Sequence, residues 1–241
     1  MNSNSFIVLL ILCVTIQITS AKNVAPRDSF DDAMALLIQI HNDALAPLNN
    51  AMIYTGTDGR LELHSHSIIT KENGSTDITK LSDEQLTSLD QIKNAAAELG
   101  LDITSCLGDT ESLLSQLVEI DIENIDKCVD GQENNILYNF NSTARKVFNT
   151  FTEIFYVTDL LKSCEATDEV CISNVVNIIR TDTIHIPDEI DQERIKMENT
   201  QNQGMSFITE CIVTYVRDIK DKGKSILKTI RECISILGHE L

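Results

Sequence analysis

Seven cysteines, five histidines and two asparagines in Asn-x-Ser/Thr settings are the side chains best suited to chemistry of their own. Thiols can bridge, ligate metals or attack carbonyls; imidazoles can ligate or move protons; a sequon asparagine can take a glycan. His64-Ser65-His66 would set two imidazoles on one side of a strand, in outline a metal edge. Neither a cysteine nor a third histidine stands nearby, so the triplet reads as exposed loop. His41 falls beside an apolar stripe and reads as a packed or rim histidine. His185 precedes Pro187 with no nucleophile motif such as Gly-x-Ser-x-Gly near it. The pairs Asp31/Asp32 and Asp188/Glu189 read as helix starts or solvated charge rather than an acid–base dyad. No catalytic residue, metal ligand or cofactor is expected.

The cysteines carry more order. Cys13 belongs to an N-terminal leader, which leaves Cys106, Cys128, Cys164, Cys171, Cys211 and Cys233. Twenty-one residues lie between Cys106 and Cys128 and again between Cys211 and Cys233, with Cys164 and Cys171 at the centre. The numbers of Cys106 and Cys233 add to 339, as do those of Cys128 and Cys211, and the central pair adds to 335. Such spacing belongs to one chain folded back on itself and stapled at matching levels.

Bridges persist in oxidising compartments, and residues 1–21 supply the route to one. A polar start, the apolar run Phe6–Val14 and the small residues of Thr19-Ser20-Ala21 have the form of a signal peptide. The run is short for a membrane span of ~20 residues. Secretion of residues 22–241 into the extracellular space, with no membrane span, is the expectation. The net charge of −18 repels nucleic acid and anionic surfaces, so neither is an expected partner.

The elements that must position these cysteines read as helices. Residues 29–54 repeat apolar residues at helical spacing, with Pro47 expected to kink or end the helix. The glycines at 56, 59 and 74 make 55–80 an expected loop. Ser82-Asp83-Glu84-Gln85 has the form of a capping box for a helix that Gly100 closes. Four further helices are expected: 109–129, 133–163, one beginning near Asp168 or Cys171, and 205–237, with Pro187 interrupting or bending the chain between the last two. Gly223 inside the last marks a close helix approach or a kink.

On a continuous helix, 22 residues advance about 33 Å and return to within about 40° of register. Cys106 and Cys128 therefore mark two ends of one face, too far apart to bond to each other. If the helices at 109–129 and 205–237 are antiparallel neighbours, Cys106 meets Cys233 and Cys128 meets Cys211. Cys164 and Cys171 then close a turn. The expected fold is all-α: an antiparallel helical bundle stapled by disulfides over 102–241, preceded by a helical N-terminal segment, 22–101, with its loop at 55–80.

The frame Cys106-x21-Cys128, Cys164-x6-Cys171, Cys211-x21-Cys233 resembles the insect tsetse EP-protein-like domain family. The closing stretch is similar too, in Cys211-Ile-Val-Thr-Tyr215-Val-Arg217, Leu227 and Cys233-Ile234. The resemblance covers about residues 102–238. Family members often carry further cysteines, and more tyrosines in the first helix, where this chain has leucines. It implies a secreted, helical, stapled protein of gut, haemolymph or glandular secretion, sometimes linked to immune response, and no catalytic residues. Two N-glycan acceptors are expected: Asn73, in the 55–80 loop, and Asn141, beside Phe140. The expected function is a non-enzymatic interaction scaffold for a protein partner; the alternative is a carrier of an apolar small molecule in the bundle core.

Overall fold

The computed structural model describes residues 28–239, so the expected leader at 1–21 lies outside the described residues. Every regular element among those residues is helical. α1 spans Asp28–Ile53, a π-helical turn occupies Tyr54–Asp58, and α2 spans Gly59–Glu98. The one-turn α3, Thr104–Leu107, precedes the long α4, Thr110–Ser163. α5 spans Glu169–Thr181, and a 3-10 turn at Thr183–His185 leads into α6, Ile186–His239. Three bridges staple the bundle: Cys106–Cys233 with Cα atoms 5.7 Å apart, Cys128–Cys211 at 6.0 Å, and Cys164–Cys171 at 5.7 Å. These are the pairs to which the spacing leads.

Two compact units form, one from residues 28–42 with Glu153–Ile184 and the other from Asp43–Thr152 with residues 185–239. The division expected at 101/102 is not one of their boundaries, because α2 is a full member of the second unit. In that unit α4 and α6 run antiparallel. Lys146 and Glu193, 2.6 Å apart, keep the register of the two long-range disulfides: their numbers also add to 339. α2 runs antiparallel to α4, where Arg60 meets Asn141 and Lys71 meets Asp130. It runs parallel to α6, where Glu62 meets Gln201, His66 meets Met205 and Gln85 meets Ile219. Leu63 and Ile78 of α2, Ile125, Ile136 and Phe140 of α4, and Ile208 and Ile219 of α6 share one core. Leu89, Leu114, Leu227 and Ile230 form a second.

The other unit buries Leu37 and Ile40 of α1, Ile154 and Leu161 of α4, and Ile172 and Ile179 of α5. Asp168 caps α5 by accepting the Cys171 N–H at 2.9 Å. That satisfies one of the donors a helix start leaves open, at the residue that the short disulfide ties to Cys164.

Several sequence expectations need correction. Residues 59–80 are helix, not loop. The core stripe of α2 runs Leu63, Ser67, Thr70, Gly74, Ile78, Ser82, Gln85 and Leu89, so small and polar residues stand where a hydrophobic period would have announced it. Ser82 and Gln85 therefore lie inside α2 and cap nothing. Residues 109–129 and 133–163 are parts of one helix, α4. Its buried stripe of Leu114, Asp121, Ile125, Val129, Ile136, Phe140 and Val147 passes Gly131 without losing phase. The two-helix division of this stretch, and with it the four-helix scheme built on it, gives way to α2, α4 and α6. Pro187 breaks nothing: it is the second residue of α6, where a missing N–H costs no helical bond. Pro47 lies within α1, which continues to Ile53. Gly100 does close α2. Its φ is +67°, and the N–H groups of Gly100 and Leu101 reach back to Ala97 and Ala96 at 3.0 Å each, a Schellman ending.

Glycines also set how closely the helices approach. A Cβ on Gly74 would meet Ile125 Cδ1 at 2.9 Å; one on Gly204 would overlap Ile136, and one on Gly223 the Gln85 amide. Gly131 faces open space. Gly204→Ala should therefore lower stability by about 1–3 kcal/mol through overpacking. Gly131→Ala should raise it by about 0.5–1 kcal/mol through helix propensity. Urea midpoints measured with the disulfides intact will separate the two; equal shifts would contradict the packing assigned to Gly204.

Candidate functional site: a buried polar network and two surface clefts

The residues singled out for chemistry are dispersed by the helices. His64 and His66, two positions apart on α2, point to different seams, since helical neighbours at that spacing diverge by about 200°. His64 Nδ1 lies 3.1 Å from Glu133 of α4, and His66 Nε2 lies 3.1 Å from the Met205 carbonyl of α6. The pair is thus neither a strand edge nor a loop. His41 is buried and meets Phe155 edge-on at 5.7 Å, as its place beside an apolar stripe implies. His185 ends the 3-10 turn before α6. No group of three metal-capable side chains forms among the described residues. Asn73 and Asn141 are both exposed, on α2 and α4, and Asn73 is helical rather than in a loop.

Sequence reasoning missed a polar network beside the π-helical turn. Tyr54 donates its hydroxyl to Gln201 Oε1 at 2.6 Å, and Gln201 Nε2 donates to Glu62 at 2.9 Å. Gln201 is fully buried in α6, so it joins helices rather than facing solvent. Gly59 gives it room: a Cβ there would stand 2.8 Å from both Gln201 Oε1 and Phe140 Cζ. Arg60 donates from Nε to the Thr55 carbonyl at 2.6 Å, and its guanidinium stands 5.7 Å from the Phe140 ring centre. Tyr54 meets the same ring edge-on. Burial pushes the Tyr54 phenol up to about 12, with Glu198 and Glu62 adding to the rise and Arg194 opposing it. The one available signal was phase, because Gln201 falls on the stripe of Met197, Gly204 and Ile208.

Asp121 occupies another core position. It is 1% exposed, with both carboxylate oxygens closed off from solvent and Asn124 beside them. Burial pushes its carboxyl up and Asp218 adds to the rise, while Lys222 across the α4–α6 seam and Asn124 oppose it. Lys222 is itself paired with Asp218.

Two clefts open on the surface of the larger unit. One, of about 400 Å³, lies between the end of α2 and the start of α4 and is lined by Leu89, Lys93, Leu107, Asp109 and Glu111. Lys93 and Glu111 pair across it. The other, of about 380 Å³, follows the α4–α6 seam past Leu113, Leu117, Ile120, Lys222 and Ile226. Both fall in the size range of ligand sites, but both are open, whereas small-molecule sites enclose most of their ligand. No described helix is long and apolar enough to cross a membrane.

No family model matches this chain. No curated protein and no solved structure matches it either. Its function has to be argued from its own geometry.

That geometry gives two titrations to measure. The folded chain holds the Asp121 proton more tightly than the unfolded chain, whose value is 3.8. Stability from this group is present below that value and lost as pH rises through the folded one. Asp121→Asn should therefore stabilise the protein at neutral pH, and the gain should shrink as pH falls toward the ordinary carboxylate range. Urea midpoints across pH will show this; a gain independent of pH would contradict it. In a phenolate absorbance titration, Tyr54→Phe should remove a component ionising near pH 12. Survival of that component would place Tyr54 outside the network.

Proposed function

We propose that this chain is a secreted, non-enzymatic interaction protein: an extracellular scaffold of insect gut, haemolymph or glandular secretion, with a part in immune response. The three intramolecular disulfides carry the reading. Thiols in reducing compartments stay unbridged, and the leader at residues 1–21 has the form that directs export. The resemblance of the cysteine frame to the tsetse EP-protein-like family supplies the tissue and the immune link. The non-catalytic part rests on how polar side chains are used. His64, His66, Tyr54, Glu62 and Gln201 all bond across helix seams, so they hold the fold. N-glycans at Asn73 and Asn141 belong to the same reading.

The carrier reading has one observation in its favour, the apolar α4–α6 groove at Leu113, Leu117, Ile120 and Ile226. Its openness weighs toward the scaffold. Expression of the full chain with its leader in insect cells should deliver a three-disulfide product to the medium, read by intact mass before and after reduction. Retention in the cytosol with free thiols would overturn secretion. The medium product should leave a fluorescent fatty acid bound to its reference carrier in competition, and native mass spectrometry should show no co-purifying lipid. Saturable uptake abolished by Leu117→Asp would replace the scaffold with the carrier.

A further inference from the structure

We propose that Asn141 is an N-glycan acceptor whose amide is held by Arg60 with its nitrogen outward, so that the attached sugar covers the exposed aromatic face of α4. The inference rests on the secretory reading above. Arg60 Nη2 donates to Asn141 Oδ1 at 2.6 Å. A guanidinium can only donate, so the amide oxygen must be the atom that faces it. Arg60 is itself anchored, by the Thr55 carbonyl and the Phe140 ring. The Asn141 nitrogen is therefore turned away from Arg60, on a side chain that is exposed. This is the atom that carries an N-linked sugar, and linkage there leaves the oxygen free to keep its bond to Arg60.

The chemistry is glycosyl transfer from a lipid diphosphate-linked oligosaccharide. The Asn141 nitrogen bonds to the anomeric carbon. The bond from that carbon to the diphosphate oxygen breaks, the diphosphate leaves with the electron pair, and the nitrogen gives up one proton to a base. The hydroxyl the sequon requires is Thr143, two residues on. In the folded chain Thr143 is half-buried and its hydroxyl lies 3.5 Å from Met197 of α6, so transfer has to precede packing of α4 against α6. The order of synthesis allows this, because Asn141 enters the lumen before residues 186–239 have emerged to cover α4.

A second observation points to the same place. Tyr138, 71% exposed, and Phe148, 40% exposed, flank Asn141 at three residues before and seven after, which sets all three on one outward face of α4. At 1.5 Å per residue they stand about 5 Å and 10 Å from Asn141 along the helix axis, within reach of a sugar attached there. A glycan rooted between them can lie over both rings.

The test uses the full chain secreted from insect cells, with enzymatic deglycosylation in heavy-oxygen water and peptide mapping. Asn141 should be occupied and should convert to Asp with the isotope label. Asn141→Gln and Thr143→Val should lose the glycan mass, while Thr143→Ser should keep it. Thr143→Val keeps the Arg60 bond, so loss there is not a folding defect. The secreted glycan-free variants should bind more of a hydrophobic-surface dye than the parent, and binding should fall when Tyr138 and Phe148 are also changed to Ser. A chain secreted with bare Asn141 overturns this inference and leaves the secretory reading standing. Unchanged dye binding overturns the covering role, and a chain that never enters the secretory pathway overturns both readings.

Discussion

Cys211 is buried in the seam between α4 and α6, and once it is joined to Cys128 the two helices cannot slide past each other. Helical packing leaves slips of one turn or one heptad as the natural errors, because each brings apolar residues back against apolar residues. The bridge removes those alternatives, and the bond between Cys106 and Cys233 fixes the same register at the far end of the hairpin. Both closed loops are long, which in the chain-entropy picture makes each worth about 4–5 kcal/mol against the unfolded state, though the two share a loop and do not add. Their larger effect is on choice among folded states.

The locked register decides which small residue meets which large one. Ile136 fills the place a side chain would take at Gly204, Ile125 does so at Gly74, and the Gln85 amide at Gly223. These are knobs set into holes that lack a wall. The helices come close enough there for Gln85 to donate to the Ile219 carbonyl at 3.1 Å, although that carbonyl already belongs to a helix. Such contacts tolerate no slip, so bridges and glycines specify the same arrangement. Surface ion pairs such as Lys71–Asp130 and Lys146–Glu193 follow the register rather than impose it, since exposed pairs contribute little.

How much of this could be read in advance varied with the residue type that carried the information. The cysteine numbers alone imply a fold-back, and the three pairs in the structure agree with it. The long apolar stripes of α4 and α6 are legible in the sequence, whereas several of its glycines and prolines do not mark the helix ends that their types suggest. Gly131 lies in the gap expected between 129 and 133, yet a solvent-facing glycine only weakens a helix, and α4 runs through it. Pro187 was read as an interruption, yet it stands in a first turn that can use it. α2 was largely hidden because its buried face is built from Ser67, Thr70, Gly74 and Ser82. Close approach at those four residues works together with Leu63, Ile78 and Leu89 to hold that face. The same reason hid Gln201 and Asp121: a polar residue in core phase is recognisable only when the phase is known, and phase is fixed by the partner helices.

The π-helical turn at Tyr54–Asp58 has a consequence for the count of residues. From Ala51 through Thr55, Gly59 and Leu63 to Ser67, the buried positions advance in uniform steps of four, where an α-helix needs a step of three from time to time to stay on one face. The wider turn absorbs the surplus. Within 43–98 it acts as a phase coupler, letting Ala44, Leu48 and Ala51 point to the same side as Leu63 and Ile78. Plain α-helical winding of all five residues from 54–58 would rotate the two stripes about 100° apart, whereas removing one of the five would take away the surplus and leave an ordinary α-helix with both stripes on one side. The extra residue and the wider turn thus offset each other, and the segment can change in both together but not in one alone.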